Sequence, residues 1–291
     1  MSQRYDIAII GTGPAGISAA INAKIRNKNF ILFGSENLSQ KITKAHQINN
    51  YLGLPAKSGV EVQQAFLEHL QEMEIAITDK KVTNIYQMGE YFVIMANNEM
   101  YETETVILAT GMQAGKAIAG EEDFLGKGVS YCATCDGGLY RGKTVTVIAY
   151  SKREEEEANF LADIVDKVYY IPMYNEAVEV AQNIEVIKDK PKAIVGEKQV
   201  SRLVLQQQEI ETDGVFILRD NISPSTLVPG IELEENHVKV NRLMATSIPG
   251  CFAAGDIVGR PYQYIKAAGE GNVAALSAAS YVDIKKKSTQ S

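Results

Sequence analysis

Cys132-Ala-Thr-Cys135-Asp136 places two thiols two residues apart with a carboxylate directly behind them. Thiols at this spacing close into a small disulfide and reopen with little backbone movement, so the string is a redox device or half of a metal site. A tetrahedral zinc site needs four ligands. The chain has one further cysteine, Cys251, no second CxxC, and three histidines (His46, His69, His237), none of them near the pair in sequence. The redox reading therefore leads. An acid at Asp136 suits a dithiol that exchanges protons as it exchanges electrons.

A second constellation lies at the start of the chain. Tyr5–Ile10 reads as a buried parallel strand, and Gly11-Thr-Gly13-Pro14-Ala15-Gly16 follows it at once. Ile17–Ile25 has the small and apolar faces of a helix laid on a sheet, and Phe30–Phe33 is the next strand. In this context the glycines carry a mechanism: Gly11 permits the tight turn, Gly13 lets a pyrophosphate approach the backbone, and Gly16 lets helix and strand pack closely. The helix N-terminus then offers unpaired N–H groups to the phosphates. Glu36, 20 residues after Gly16, is placed for a ribose hydroxyl. Two later strands end in small-residue turns, at Ala109-Thr110-Gly111 and at Gly255-Asp256. FAD-binding proteins with two dinucleotide folds return to the cofactor at such segments. The expected cofactor is FAD, with the acid toward the ribityl or pyrophosphate region.

The elements that must position these groups are those of a two-domain α/β protein. At 291 residues, 45% hydrophobic and 22% charged, the chain has the size and composition of a soluble protein with a sizeable core. The net charge of −7, from 29 basic and 36 acidic residues, argues against nucleic acid as a partner. There is no signal-like N-terminal segment and no apolar run of membrane-spanning length, so no membrane association and a cytoplasmic location are expected. A catalytic disulfide fits that compartment better than a structural one.

With these residues assembled, the chain resembles the low-molecular-weight thioredoxin reductases over nearly its whole length. The resemblance is carried by Gly11–Gly16, Asn49-Asn50-Tyr-Leu-Gly53, Ala109–Gly111, Gly128-Val-Ser-Tyr-Cys-Ala-Thr-Cys-Asp136, and Gly255-Asp256 with Gln263 behind it. It implies a two-dinucleotide-domain flavoprotein with a Rossmann-like FAD domain at about 1–113 and 245–291. An inserted NADPH-type domain carrying the CxxC would occupy about 114–244. It further implies that Cys135 is the thiol nearest the flavin, that Cys132 attacks the disulfide of the protein substrate, thioredoxin, and that Asp136 is the acid/base. Asn50 and Gln263 would contact the isoalloxazine, and Tyr262 or Tyr264, where the family has Arg-Gln-Ala, could cover a flavin face. A Gly-Gly-Gln run of the family is replaced by Ser39-Gln-Lys41. A homodimer is implied as well.

The departure that matters most follows the CxxC. A strand, Arg141–Ile148, should be followed by a second glycine-rich turn, but the chain reads Ala149-Tyr-Ser-Lys-Arg-Glu-Glu-Glu-Glu-Ala158. No glycine stands where a backbone must approach a pyrophosphate, and the Glu154–Glu157 run, read as a solvated helix start, would repel one. The next strand, Val168–Ile171, ends in Pro172-Met-Tyr-Asn175, with no base to pair a 2′-phosphate. An intact FAD site with an erased NADPH site is similar to the ferredoxin-dependent flavin thioredoxin reductases. Candidate patches for an acidic ferredoxin are Arg141/Lys143, Lys152/Arg153, Lys188/Lys190/Lys192 and Lys285–Lys287. The alternatives are an NADPH-dependent reductase with an unrecognised site and a non-turnover FAD/dithiol sensor. Cys251 reads as a buried small residue, His69 as solvent-facing, and no metal site is expected.

Overall fold

The structure is a computed structural model describing residues 4–43, 45–97, 99–112, 118–219 and 223–290; the side chains of residues 40, 135, 289 and 290 are outside that description. The first strand, Tyr5–Ile10 (β1), is buried from Asp6 onward, as an apolar strand covered on both faces should be. It passes through the Gly11–Gly13 turn into helix Pro14–Ile25 (α1), whose first position is a proline that has no N–H to leave unpaired. Phe30–Phe33 (β2) returns parallel to β1, with Ile7 opposite Phe30 and Ile10 opposite Phe33. Helix Gly59–Glu72 (α2) begins with a capping box between Ser58 and Glu61. Val82–Met88 (β3), Tyr91–Ala96 (β4) and Glu99–Leu108 (β5) then form an antiparallel meander.

Within the insertion come Val129–Ser130 (β6), the short helix Ala133–Asp136 (α3) and Thr144–Ala149 (β7). These are followed by Glu155–Ala162 (α4), Lys167–Pro172 (β8) and Ile184–Val186 (β9). A three-stranded antiparallel sheet, Pro191–Gly196 (β10), Val200–Leu205 (β11) and Glu209–Glu211 (β12), precedes Gly214–Leu218 (β13). The chain returns through Cys251–Ala253 (β14) to the long helix Tyr264–Gln290 (α5).

The chain divides into two compact units, Met1–Met112 with Ser223–Ser291, and Gln113–Ile222. In the first, the sheet order is β2-β1-β5-β4-β3, with β14 parallel to the far end of β5, Leu108 opposite Ala253. Helices α1 and α5 pack through small residues: Ala19, Ala20 and Ala23 share a core with Ala274, Ala275 and Ala278, all fully buried. A Cβ on Gly271 would fall 2.0 Å from the Ala15 carbonyl, so α5 needs its glycine to lie against the start of α1. In the second, an all-parallel sheet runs β6-β13-β7-β8-β9.

Residues 223–244, expected in the inserted domain, pack within the first unit. The chain leaves the second sheet at the end of β13, and the contacts that follow are to the first: Asn84 Nδ2 donates to the Thr226 carbonyl, and Glu232 N to Ser247 Oγ at 3.1 Å. The other expected boundary, at 113/114, lies outside the described residues.

Candidate functional site

The Gly11–Gly16 turn is built as its glycines require. Gly11 has φ +116°, and a Cβ there would meet the Ala109 carbonyl at 2.4 Å, so the turn lies directly against the Ala109–Gly111 segment at the end of β5. A Cβ on Gly16 would fall 1.8 Å from the Gly11 carbonyl. A Cβ on Gly13, by contrast, would meet nothing closer than Ser39 Cβ at 4.0 Å, and among the described residues no side chain caps the helix it begins. An open glycine before uncapped helical N–H groups is a cradle that a phosphate fits. Thr12 Oγ1 donates to the Ser35 carbonyl at 3.1 Å, which holds the exposed Glu36 beside the turn. Thr110 Oγ1 is buried with no hydrogen-bond partner among the described residues, a second place where a polar ligand atom fits. Gly255, at φ +88°, sits 3.1 Å from Ala15 Cβ by the same measure, and its N–H donates to Glu270. Gly11, Gly13, Pro14, Ala15, Gly16, Ala109, Thr110, Gly111 and Gly255 thus come together.

A second cluster forms around Asn50. Its Nδ2 donates to Gln263 Oε1 at 2.6 Å, across 213 residues. The Tyr264 hydroxyl donates to the Lys41 carbonyl at 3.0 Å, and burial together with the Asp256 carboxylate pushes that hydroxyl above its ordinary pKa. Lys41 was not singled out from sequence as a ligand residue. Its Nζ donates to the Met112 carbonyl at 3.3 Å and lies 4.0 Å from Asp256 Oδ2, so it links the β5 turn, the Gly255-Asp256 turn and the start of α5. The only signal for it was the departure of Ser39-Gln-Lys41 from the family run, because its partners are remote in sequence. Tyr262 pairs instead with His237, hydroxyl to Nε2 at 2.7 Å, and His237 stands in a two-residue strand.

In the second unit, Cys132 is buried and disulfide-bonded, whereas Cys251, in the first, is a free thiol, fully buried as expected. The side chain of Cys135 lies outside the described residues. Ser130 Oγ lies 2.7 Å from Asp136 Oδ2 and accepts from Cys132 N at 3.1 Å, so one buried hydroxyl holds both flanks of the CxxC turn. Glu157 Oε2 accepts from Ala133 N at 2.8 Å. The Glu154–Glu157 run is therefore not a solvated helix start. Glu154 and Glu155 are buried, Glu155 accepting from the Tyr174 hydroxyl and Glu179 N of the segment after β8, while Glu156 stays exposed.

The pyridine nucleotide-disulphide oxidoreductase family matches residues 5–271. The chain belongs to that family. It is 32% identical to a thioredoxin reductase of Aquifex aeolicus over 97% of this chain and 95% of that one. Among solved structures, a ferredoxin-flavin thioredoxin reductase from Clostridium acetobutylicum is 55% identical, with a TM-score of 0.95 over 98% of this chain and 99% of that one. A thioredoxin reductase from Gloeobacter violaceus is 27% identical, with a TM-score of 0.82 over 97% and 95%. This pyridine nucleotide-disulphide oxidoreductase is a thioredoxin reductase-type flavoprotein, an oxidoreductase that binds FAD.

The crevice of the second sheet is filled by side chains of the chain itself. Strand order reverses between β7 and β13, and open parallel sheets take their nucleotide beyond the carboxyl ends of the strands at such a point. Here Tyr150 N donates to the Leu218 carbonyl at 3.0 Å, and the Arg219 guanidinium stands 4.7 Å from the centre of the Tyr150 ring. Arg219 grips Glu121 with both ends, at 2.7 and 3.1 Å, and Glu121 also accepts from the Tyr131 hydroxyl and Ile118 N. Both charged side chains are at most 3% exposed. Burial works against the guanidinium charge, but the Glu121 carboxylate and Tyr150 hydroxyl outweigh it and hold Arg219 above its ordinary pKa. Burial and the same carboxylate push the Tyr131 hydroxyl up. The signal for this network was a lone arginine after the apolar run Gly214–Leu218.

Proposed function

We propose that this flavoprotein is an FAD-dependent thioredoxin reductase charged by reduced ferredoxin in place of NADPH. The observation that carries the reading is the Tyr150–Arg219–Glu121 network at the strand-order reversal of the second sheet, where a nicotinamide dinucleotide would need open backbone. The likeness to the Clostridium acetobutylicum ferredoxin-flavin enzyme supports it independently.

Gly11, Gly13, Pro14, Ala15, Gly16 and Glu36 would hold the pyrophosphate and adenosine ribose of FAD. Ala109, Thr110, Gly111, Gly255 and Asp256 would line the pyrophosphate and ribityl region. Asn50, Gln263 and Tyr264 would orient the isoalloxazine. Bound FAD supplies the bridge between one-electron delivery and two-electron disulfide reduction. Cys135 would be the thiol nearest the flavin, Cys132 the thiol that exchanges with thioredoxin, and Asp136 the group that carries protons for both. The inserted domain would be the part that presents Cys132, in a cytoplasmic homodimer.

An acidic ferredoxin needs a basic landing on a net-negative protein. Lys285 and Lys286 are engaged by Glu104 and Asp6, and Lys152 by Glu179. Arg141 and Lys143, like Lys188, Lys190 and Lys192, are exposed and have no carboxylate partner for their side chains among the described residues; Arg141 and Lys143 follow the CxxC turn directly in the chain, which favours that pair. The test is anaerobic reduction of thioredoxin by the FAD-loaded enzyme with photoreduced ferredoxin or NADPH. Thioredoxin thiols should form with ferredoxin alone, should form more slowly as salt rises, and should form more slowly with charge reversal at Arg141 and Lys143. Turnover with NADPH at a comparable rate would overturn the reading.

A further inference from the structure

The CxxC turn contains a hydroxyl that the family motif does not assign a task. Ser130 ends β6, its backbone in register with Phe216 of β13, and its side chain is buried. Its Oγ is within reach of three groups: Asp136 Oδ2 at 2.7 Å, the Cys132 carbonyl at 3.2 Å and Cys132 N at 3.1 Å. A hydroxyl has one proton to give. The shorter contact, to a carboxylate, is the stronger place for it, and Cys132 N donates to the lone pair that remains. One atom thus ties the backbone of Cys132 to the carboxylate of Asp136 and anchors both to a strand. A site held from a strand is more exact than one held from a loop.

We propose that Ser130 is the positioning residue for proton transfer at the dithiol: its hydroxyl holds Asp136 in the orientation from which that carboxylate serves the two thiols in turn. This rests on the reading of Asp136 as the acid/base. The Cys132 thiol gives its proton to Asp136, and its sulfur bonds to one sulfur of the partner disulfide as that S–S bond breaks. The departing partner thiolate takes the proton from Asp136. The Cys135 thiol then ionises onto Asp136, and its sulfur attacks Cys132, breaking the mixed disulfide. The second partner thiolate leaves with that proton. Two electrons and two protons pass from the dithiol to the partner, and Asp136 ends as it began. Both proton transfers need the same carboxylate in the same place, which a rotating side chain would not give. The Ser130 hydrogen bond supplies that constraint whether Cys132 is thiol or disulfide, because neither of its two partners is a sulfur.

The experiment uses FAD-loaded enzyme reduced in advance with dithionite and freed of excess, then mixed with oxidised thioredoxin and quenched in acid. The variants are Ser130→Ala, Ser130→Thr, Asp136→Asn and the Ser130→Ala/Asp136→Asn double. General acid–base groups contribute about 10²–10⁴-fold, so a misplaced one should cost about tenfold or more in the limiting exchange rate. Ser130→Ala should show that loss with an unchanged half-saturating thioredoxin concentration, and Ser130→Thr should recover most of it. The double variant should be no slower than Asp136→Asn, because Ser130 acts only through Asp136. Exchange by Ser130→Ala at the wild-type rate would overturn the proposal. A Ser130→Ala loss that multiplies with that of Asp136→Asn, the signature of a general disturbance of the fold, would overturn it equally. Asp136→Asn at the wild-type rate would instead overturn the assignment of Asp136 on which the proposal stands.

Discussion

Removing Glu121 should be among the most damaging single changes outside the dithiol. The Glu121→Ala variant leaves the Arg219 guanidinium inside the second unit, its side chain 2% exposed, without the two oxygens now at 2.7 and 3.1 Å. The Tyr150 hydroxyl at 3.3 Å does not replace a carboxylate, and Ile118 N and the Tyr131 hydroxyl also lose an acceptor. Breaking a buried ion pair from one side costs about 3–5 kcal/mol, because the other charge stays desolvated and unpaired. Removing both charges, as in Glu121→Leu/Arg219→Met, should cost less than Glu121→Ala alone. The assay is equilibrium urea unfolding of the FAD-loaded proteins followed by far-ultraviolet circular dichroism. A loss below about 1 kcal/mol for Glu121→Ala, or a double variant as unstable as the sum of the singles, would show that the pair does not work as described.

Other outcomes follow from single sites. Burial pushes the Cys251 thiol up to about 12, so mass spectrometry of native, reduced enzyme alkylated at pH 8 should find Cys251 unmodified; its labelling without denaturant would contradict its place in the core. Lys41→Ala removes the ammonium that faces Asp256 and Met112, and should weaken FAD binding only about two- to fivefold, given its exposure, as read by fluorescence of released flavin. Glu157→Gln keeps an acceptor for Ala133 N and should leave thermal stability near wild type, whereas Glu157→Ala should cost about 1–3 kcal/mol. Gly16→Ala drives a methyl into the Gly11 carbonyl and should yield protein that no longer retains flavin through gel filtration.

Much of the fold was legible because its signals are local. The apolar run Tyr5–Ile10, the spaced glycines behind it and the small-residue helix each state their structure within a dozen residues. The CxxC and its acid are contiguous and needed no fold to be seen. Glu154 and Glu155 misled, since four acids in a row read as a wet surface; whether they are buried depends on Tyr174 and the Glu179 backbone, which arrive later in the chain. Arg219 and Glu121 meet across 98 residues, and Lys41 meets Asp256 across a still longer span, so no window of sequence contains either pair. Ser130 was in plain view inside the family string, but its task depends on which way a hydroxyl points. The assignment of 223–244 turned on packing at Asn84 and Ser247, where neither composition nor a turn signal marks a boundary.

The central claim, that the donor is a reduced ferredoxin, is tested most directly by flavin absorbance near 450 nm in an anaerobic stopped-flow cell. NADPH, NADH and reduced ferredoxin are offered in turn to oxidised, FAD-loaded enzyme. Ferredoxin should bleach the flavin rapidly, and both nicotinamides should leave it oxidised over the same interval, if the Tyr150–Arg219–Glu121 network excludes a dinucleotide as proposed. Rapid bleaching by NADPH, with ferredoxin inert, would contradict the account at its base.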